Sequence, residues 1–328
     1  MRELIISGQE EGQRLDRYLG RYLPGVSQGF LHKMLRKKNI KYNGAKASGS
    51  EKLMTGDRIQ IFFSEETFDA FGAGPAMNGS EPDKRQDSPE KKSPLRKQVR
   101  VLFENEDILI LHKPAGMLTQ KAAPGDDSLN DYLLDYWKDK IMRGREMPAA
   151  FRPSVANRLD RNTSGIVLCG ITVKGLQMLS ELLKKRQLEK YYLCIVKGEI
   201  QGSRKVYGFL KKDEKSNRVM LTDQKQPGSA FIETWYRALS TGRDASLLKV
   251  RLITGKSHQI RAHLASEGHP ILGDPKYGDP ERNRALYKLG IRHQLLHSSE
   301  LVIPGGPHIR DDIPEDFARV MKEYHLEI

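Results

Sequence analysis

The chain has 328 residues and carries 55 Lys and Arg against 42 Asp and Glu, a formal charge of +13. That surplus favours a polyanionic partner, nucleic acid or an anionic membrane surface, over a small neutral ligand, and the length allows two domains. No run of about 18 apolar residues occurs, the first ten residues lack the apolar core of a signal peptide, and the two cysteines, Cys169 and Cys194, sit inside apolar runs. These features argue against a membrane span, a disulfide framework or a Cys-based zinc site, and predict a cytoplasmic protein with two buried, inert thiols.

The first unit is expected over residues 13–63. Leu15, Tyr18, Leu19, Tyr22 and Leu23 recur at helical spacing, and Pro24-Gly25 stops the helix. Ser27 can cap a second helix that buries Phe30, Leu31, Met34 and Leu35. Lys33, Arg36, Lys37 and Lys38 project from that helix and its end. A strand at Ile40-Lys41-Tyr42, a hairpin turn at Asn43-Gly44 and an alternating strand at Arg58–Phe62 follow. Residues 13–62 hold eleven Lys and Arg against three Asp and Glu, so most of the net charge lies here. The order helix, basic helix, hairpin resembles the small alpha-L RNA-binding domain found in a small-subunit ribosomal protein and in several RNA-modifying enzymes. That resemblance implies phosphate contacts from the second helix, which give affinity without much sequence choice.

Residues 64–98 change composition: Gly and Pro punctuate polar residues without apolar periodicity, which predicts a flexible linker. Residues 99–328 are rich in strand-like runs, at 99–103, 108–111, 166–169, 191–196, 230–239 and 247–252. One amphipathic helix is expected over 173–185, with Leu176, Leu179, Leu182 and Leu183 inward. Strands without regular βαβ alternation predict an α+β domain with a mainly antiparallel, mixed sheet.

Three segments carry candidate chemistry. In Asn157-Arg158-Leu159-Asp160-Arg161-Asn162-Thr163-Ser164-Gly165 a carboxylate lies between two arginines on a polar loop ahead of an apolar strand. Arginine is always protonated, so Asp160 is expected to stay ionised and suits nucleophilic or acid/base work, although a structural surface ion pair reads equally well from this segment alone. In Thr254–Leu264, Arg261 can supply a distant cation, while His258, His263 and His269 with Asp274 raise a metal site whose spacing fits no metalloprotease-type pattern. In Lys190-Tyr191-Tyr192 an aromatic at a strand mouth can stack on a base. His112-Lys113-Pro114-Ala115-Gly116 and Gln294-Leu295-Leu296-His297 are weaker signals. Ser164 lies in Thr-Ser-Gly, not in a hydrolase elbow, and no phosphate-binding or dinucleotide-binding glycine loop is present.

Together these segments resemble the ribosomal-large-subunit type of RNA pseudouridine synthase. The signature is Arg158-Leu159-Asp160-Arg161-Asn162-Thr163-Ser164-Gly165, followed in order by Lys190-Tyr191-Tyr192, Gln259-Ile260-Arg261 and Gly268–Asp274. Asn157 stands where many members have His. The resemblance implies an isomerase of structured RNA, most often large-subunit ribosomal RNA, that needs no cofactor and no metal and works as a monomer. It implies Asp160 as the essential carboxylate, acting by attack on the sugar or by proton abstraction on a glycal route. Arg261 would pair with it. Tyr192 would stack on the uracil and help remove the carbon 5 proton. Arg158 and Arg161 would handle the RNA, and Leu295 and Leu296 would line the apolar side of the base pocket. The runner-up is a non-catalytic RNA-binding or ribosome-assembly protein on the same scaffold; a metal-dependent RNA hydrolase using the histidines stands behind both.

Overall fold

The computed structural model describes residues 1–72, 92–143, 148–213 and 218–328, organised around two sheets. The small sheet belongs to the first unit: β1 (Arg2–Ile5), β2 (Ile40–Tyr42), β3 (Ala45–Lys46) and β4 (Arg58–Ile61), ordered β1-β4-β2-β3. Against it pack α1 (Leu15–Tyr22), which buries Leu15, Tyr18, Leu19 and Tyr22, and α2 (Gln28–Arg36), which buries Leu31, Met34 and Leu35. Ser27 caps α2 by accepting from the Phe30 N–H at 3.3 Å. Asn43 and Gly44 both take positive φ, 49° and 76°, as a two-residue hairpin turn of the I′ type requires.

Both ends of this unit correct the sequence reading. The sheet begins at Arg2 rather than near residue 13, because β1 pairs with β4 from Arg2↔Ile61 to Ile5↔Arg58. A four-residue strand with an exposed Ile5 gives too short an alternation to stand out. The expected linker is folded at both described ends. α3 (Glu65–Ala70), capped by Ser64, buries Phe68 in the first unit's core, and Phe30, Phe63 and Phe71 meet around it. A 3₁₀ turn at Pro94–Gln98 is pinned by Arg96, which donates to Asp127 and Asp135. Residues 73–91, where flexibility was also expected, lie outside the described residues. The units touch directly as well: the Ala150 N–H donates to buried Glu10 at 2.8 Å, the Val173 N–H donates to the Gln9 carbonyl at 3.0 Å, and Ala150 joins the small core. The two units are therefore joined by direct contacts as well as by the linker.

The second unit contains β5 (Arg100–Glu104), β6 (Ile108–Lys113), α4 (Leu129–Tyr136), β7 (Ser154–Val155), β8 (Ser164–Gly170), α5 (Val173–Lys184) and β9 (Glu189–Lys197). It continues with β10 (Ser203–Asp213), β11 (Arg218–Thr222), β12 (Ala230–Gly242), β13 (Ala245–Leu252), α6 (Gln259–Ser266) and α7 (Pro280–Leu286), and ends with β14 (Leu296–Val302), β15 (His308–Arg310) and α8 (Glu315–Glu323). Its strands run β11-β10-β12-β13-β9-β14-β8-β6-β5, with β15 beside β14 and β7 beside β8. The pairs are antiparallel except β14 with β8, so the architecture is the expected α+β class with a mainly antiparallel, mixed sheet. That parallel pair matters for function: it brings the chain's late strand against the strand that leaves the Asp160 loop. On α5, Leu179 is buried, while Leu176, Leu182 and Leu183 are only partly buried.

Candidate active site

The Asp160 loop joins β7 to β8 and is tied down residue by residue. The Thr163 N–H closes a turn on the Asp160 carbonyl at 3.0 Å. Thr119 donates its hydroxyl to the Leu159 carbonyl (2.9 Å) and accepts from the Leu159 N–H (3.2 Å). Asn157, the departure from the signature, accepts from the Leu168 N–H at 2.7 Å, so it still anchors the loop to β8. Beneath lies Lys113, fully buried, whose Nζ donates to the carbonyls of Met117 (2.7 Å), Arg161 (2.9 Å) and Pro114 (3.1 Å). Burial pushes the Lys113 ammonium down to about 7, opposed by the negative charge of Asp160. Three acceptor carbonyls match the three N–H bonds of the charged form; a neutral amine would leave one unmet.

Arg261 reaches the loop from α6. The start of that helix is fixed by Gln259, whose amide donates to the Glu233 carbonyl (2.9 Å) and accepts from the Thr254 hydroxyl (2.9 Å) and the Lys256 N–H (3.1 Å). The Arg261 guanidinium is 5% exposed and bridges two carboxylates. Nη1 donates to Asp160 Oδ2 at 2.9 Å, while Nε and Nη2 donate to the two oxygens of Asp274 at 2.7 and 2.8 Å. Burial works against the Arg261 charge, but the Asp274 and Asp160 carboxylates outweigh it and raise its pKa. No hydrogen bond among the described residues falls on Asp160 Oδ1, and the Asp160 side chain keeps 27% exposure.

These groups open onto a cleft of about 1010 Å³, lined among others by Asp160, Tyr192, Arg261, Lys190, His258 and Leu296. Tyr192 comes from β9 and is buried; burial chiefly, with the Asp160 charge, pushes its hydroxyl up to about 12 against a hydrogen bond with Ser298. Arg158 and Arg161 are exposed at the rim, and their side chains make no ion pair among the described residues. Lys33, Arg36, Lys37 and Lys38 are all exposed on α2 and the turn after it. Leu296 lines the cleft on the Tyr192 face of the sheet, since it pairs with Cys194 as Ser298 pairs with Tyr192. Leu295 is corrected: it is fully buried in the main core and lines no part of the cleft, because neighbouring residues of an extended chain face opposite ways.

The histidines do not converge. His263 bonds the Thr234 hydroxyl (2.7 Å), His269 bonds the Lys197 carbonyl (3.0 Å), and His258 bonds the Tyr277 hydroxyl (3.0 Å) with its other ring nitrogen 3.9 Å from Asp160. Burial lowers the His258 pKa, with Asp160 opposing, which favours the neutral ring beside the carboxylate. Sequence reasoning missed Lys113 and Thr119 as loop supports, and it named Asp274 only beside the histidines of a disfavoured metal site, not as the second anchor of Arg261. The only signal for Lys113 was a charged residue ending an otherwise apolar strand.

An RNA pseudouridylate synthase family profile matches residues 107–266, which include Asp160, Tyr192 and Arg261. The ribosomal large subunit pseudouridine synthase C of Haemophilus influenzae is 32% identical over 303 residues, covering 90% of this chain and 84% of its own. The chain belongs to the ribosomal-large-subunit type of RNA pseudouridine synthase. The Escherichia coli protein of the same name is 30% identical over 321 residues, 95% of this synthase and 92% of that protein. Human RNA pseudouridylate synthase domain containing 4 superposes with a TM-score of 0.58 over 70% of the synthase and 94% of its own chain; at 22% identity it shows the shared fold.

Proposed function

We propose that this synthase isomerises uridine to pseudouridine in large-subunit ribosomal RNA as a monomer without a cofactor, with Asp160 as the essential carboxylate. The supporting observation is the asymmetric hold on that carboxylate: Arg261 occupies Oδ2, no hydrogen bond among the described residues falls on Oδ1, and Asp160 lines the cleft. The substrate class is drawn from the large-subunit synthases that resemble this chain along most of its length.

In the reaction the bond from the ribose to nitrogen 1 breaks, the uracil turns, carbon 5 bonds to the ribose, and the proton lost from carbon 5 is balanced by one gained at nitrogen 1. Asp160 Oδ1 either bonds to the sugar or takes a sugar proton on the glycal route; both use the same open oxygen. Tyr192 stacks against the uracil. Its hydroxyl, pushed up to about 12, stays protonated near neutrality and is a poor base for the carbon 5 proton. A stacked or paired uridine must leave its helix to reach this depth. Arg158 at the rim fills the vacated place, Arg161 meets the backbone, and Leu296 supplies an apolar wall. Lys33, Arg36, Lys37 and Lys38 add sequence-independent phosphate contacts.

The test is single-turnover pseudouridine formation on large-subunit ribosomal RNA fragments, mapped by carbodiimide adducts. Asp160→Asn should lose activity by at least about 10³-fold while still binding the RNA. Identical pseudouridine maps for the two proteins would sink the assignment.

A further inference from the structure

Adjacent residues of β9 face opposite sides of the sheet, so Tyr191 cannot share the cleft with Tyr192. Tyr191 looks onto the reverse face. There, the register sets one row across five strands: Lys205 opposite Trp235, Trp235 opposite Arg251, Arg251 opposite Tyr191, and Tyr191 opposite Glu300. The row floors a groove of about 730 Å³. We propose that this groove is a second RNA-binding surface, which takes a single-stranded stretch by stacking bases on Trp235 and Tyr191 and holding its phosphates with the surrounding cations.

The aromatics are presented rather than packed away. The Trp235 indole N–H donates to Glu233 at 2.7 Å, which fixes the ring, and Lys205 Nζ lies 3.9 Å from the ring centroid. Lys249 Nζ lies 4.5 Å from the Tyr191 ring centroid. Tyr207 and Phe231, 56% and 45% exposed, continue the same face toward the sheet edge. Aromatic faces interleaved with cations suit bases and phosphates, because every base offers a π-face and every linkage a charge.

Charge decides between RNA and an acidic protein less than shape does, yet it excludes a neutral partner. Four cations project into the groove, Lys205, Arg237, Lys249 and Arg251, against Glu189 and Glu300, while Arg204 turns to the other face and pairs with Glu267 at 2.5 Å. The two acids are already engaged, Glu189 by Arg251 at 2.7 Å and Glu300 by Lys249. The Arg237 side chain is exposed and makes no hydrogen bond or ion pair among the described residues. Among the lining residues Val302 alone is aliphatic, so the groove offers little to an amphipathic helix or an acyl chain; a base stacks on Trp235 or Tyr191 once its phosphates draw Lys205, Arg251 and Lys249 off the rings they now cover.

The experiment uses the full chain and a ten-nucleotide oligoadenylate, which has no uridine to isomerise and so does not depend on the catalytic reading. Trp137 is fully buried, which leaves Trp235 as the exposed fluorophore. Saturable quenching is expected, with affinity falling as salt rises. Arg237→Glu should weaken binding at least tenfold, and Arg237→Ala should flatten the log affinity against log salt slope by about 0.7. Trp235→Phe, which keeps an aromatic ring, should abolish the quench while a dye-labelled oligonucleotide still binds. Unchanged melting temperatures for these surface variants show that the fold is intact. Absence of quenching, equal affinity of Arg237→Glu and wild type, or quenching by polyglutamate but not by oligoadenylate overturns the proposal.

Discussion

Asp274→Asn isolates the second anchor of Arg261, to which the sequence alone assigned no role. The Asp274 carboxylate is fully buried and accepts four hydrogen bonds: two from Arg261 and one each from the N–H groups of Lys276 (2.8 Å) and Tyr277 (3.1 Å). Burial pushes this carboxyl up, but the hydrogen bonds and charge of Arg261, with the two backbone donors, hold it below the usual carboxylate range. An amide can keep its oxygen toward the backbone donors, but then its NH₂ faces the Arg261 Nε and two donors meet. Arg261 is left buried with one counter-charge, Asp160. Breaking one side of such a pair costs about 3–5 kcal/mol, a large share of the 5–15 kcal/mol that holds a typical fold together. At roughly 2–4 °C per kcal/mol the melting temperature should fall by about 10 °C. Arg261 also loses its Nε anchor and keeps only a neutral acceptor for Nη2, and a shift of about 1 Å at Asp160 costs on the order of 10²-fold in rate. The expected result, measured by single-turnover kinetics below the melting point, is a lower kcat with a small change in KM. The sign of the pH dependence follows from the lowered pKa: the contribution of Asp274 is present above the unfolded carboxyl value near 4 and is lost as pH falls through the folded value. The gap between variant and wild type should therefore shrink in acid. A variant with wild-type melting and kcat, or a gap that widens in acid, refutes the reasoning.

Gly165→Ala should be far worse than an ordinary glycine substitution, because φ is +112° and a Cβ would sit 2.2 Å from the Ser298 carbonyl oxygen; a loss above about 3 kcal/mol is expected by urea titration. Gly44→Ala, at φ +76° with open space around it, should cost only about 1 kcal/mol on the same assay. His263 and His297 are buried and pushed down to about 4 by that burial, so the unfolded chain binds more protons between about pH 6.5 and 4 and stability should fall with pH across that window, by up to about 1.4 kcal/mol per pH unit for each ring. Urea titrations of His263→Gln should show a shallower fall; an identical slope would be evidence against the buried neutral ring. Replacing Lys33, Arg36 and Lys37 with Ala should weaken binding to all RNA sequences alike and flatten the salt slope by about 0.7–0.9 for each phosphate no longer neutralised, and an unchanged slope in filter binding would remove α2 from the RNA interface.

What could be read from the chain alone depended on how far apart the interacting residues lie. The helical stripe of α1, the Ser27 cap of α2 and the Asn43-Gly44 turn are set by residues within a few positions of one another, and the structure has them in place. β10 escaped notice because Arg204, Lys205 and Lys211 interrupt its apolar alternation, although Val206, Gly208 and Leu210 still point inward. The supports of Asp160 are more remote. Lys113 reaches the Arg161 carbonyl across 48 positions and Arg261 reaches Asp160 across 101, so the local sequence marked the first only as a weak signal without its partner, and the pairing of the second with Asp160 was expected only through a family resemblance.

The signature residues, once placed, divide between shaping the loop and meeting a substrate in the cleft. Leu159 is buried and clasped by Thr119; Thr163 closes the turn and accepts from the Gln294 amide at 3.3 Å. Ser164 bonds the buried ring of His297 at 2.9 Å, and Gly165 is the residue that lets β14 run against β8 without collision. These contacts hold the loop from within the fold. The same loop exposes Arg158 and Arg161 at its rim and leaves Asp160 between them with an open oxygen. Adding bulk at Gly165 and removing charge at Asp160 should therefore fail differently: the first by unfolding the β8–β14 junction, the second with the fold intact and the chemistry gone.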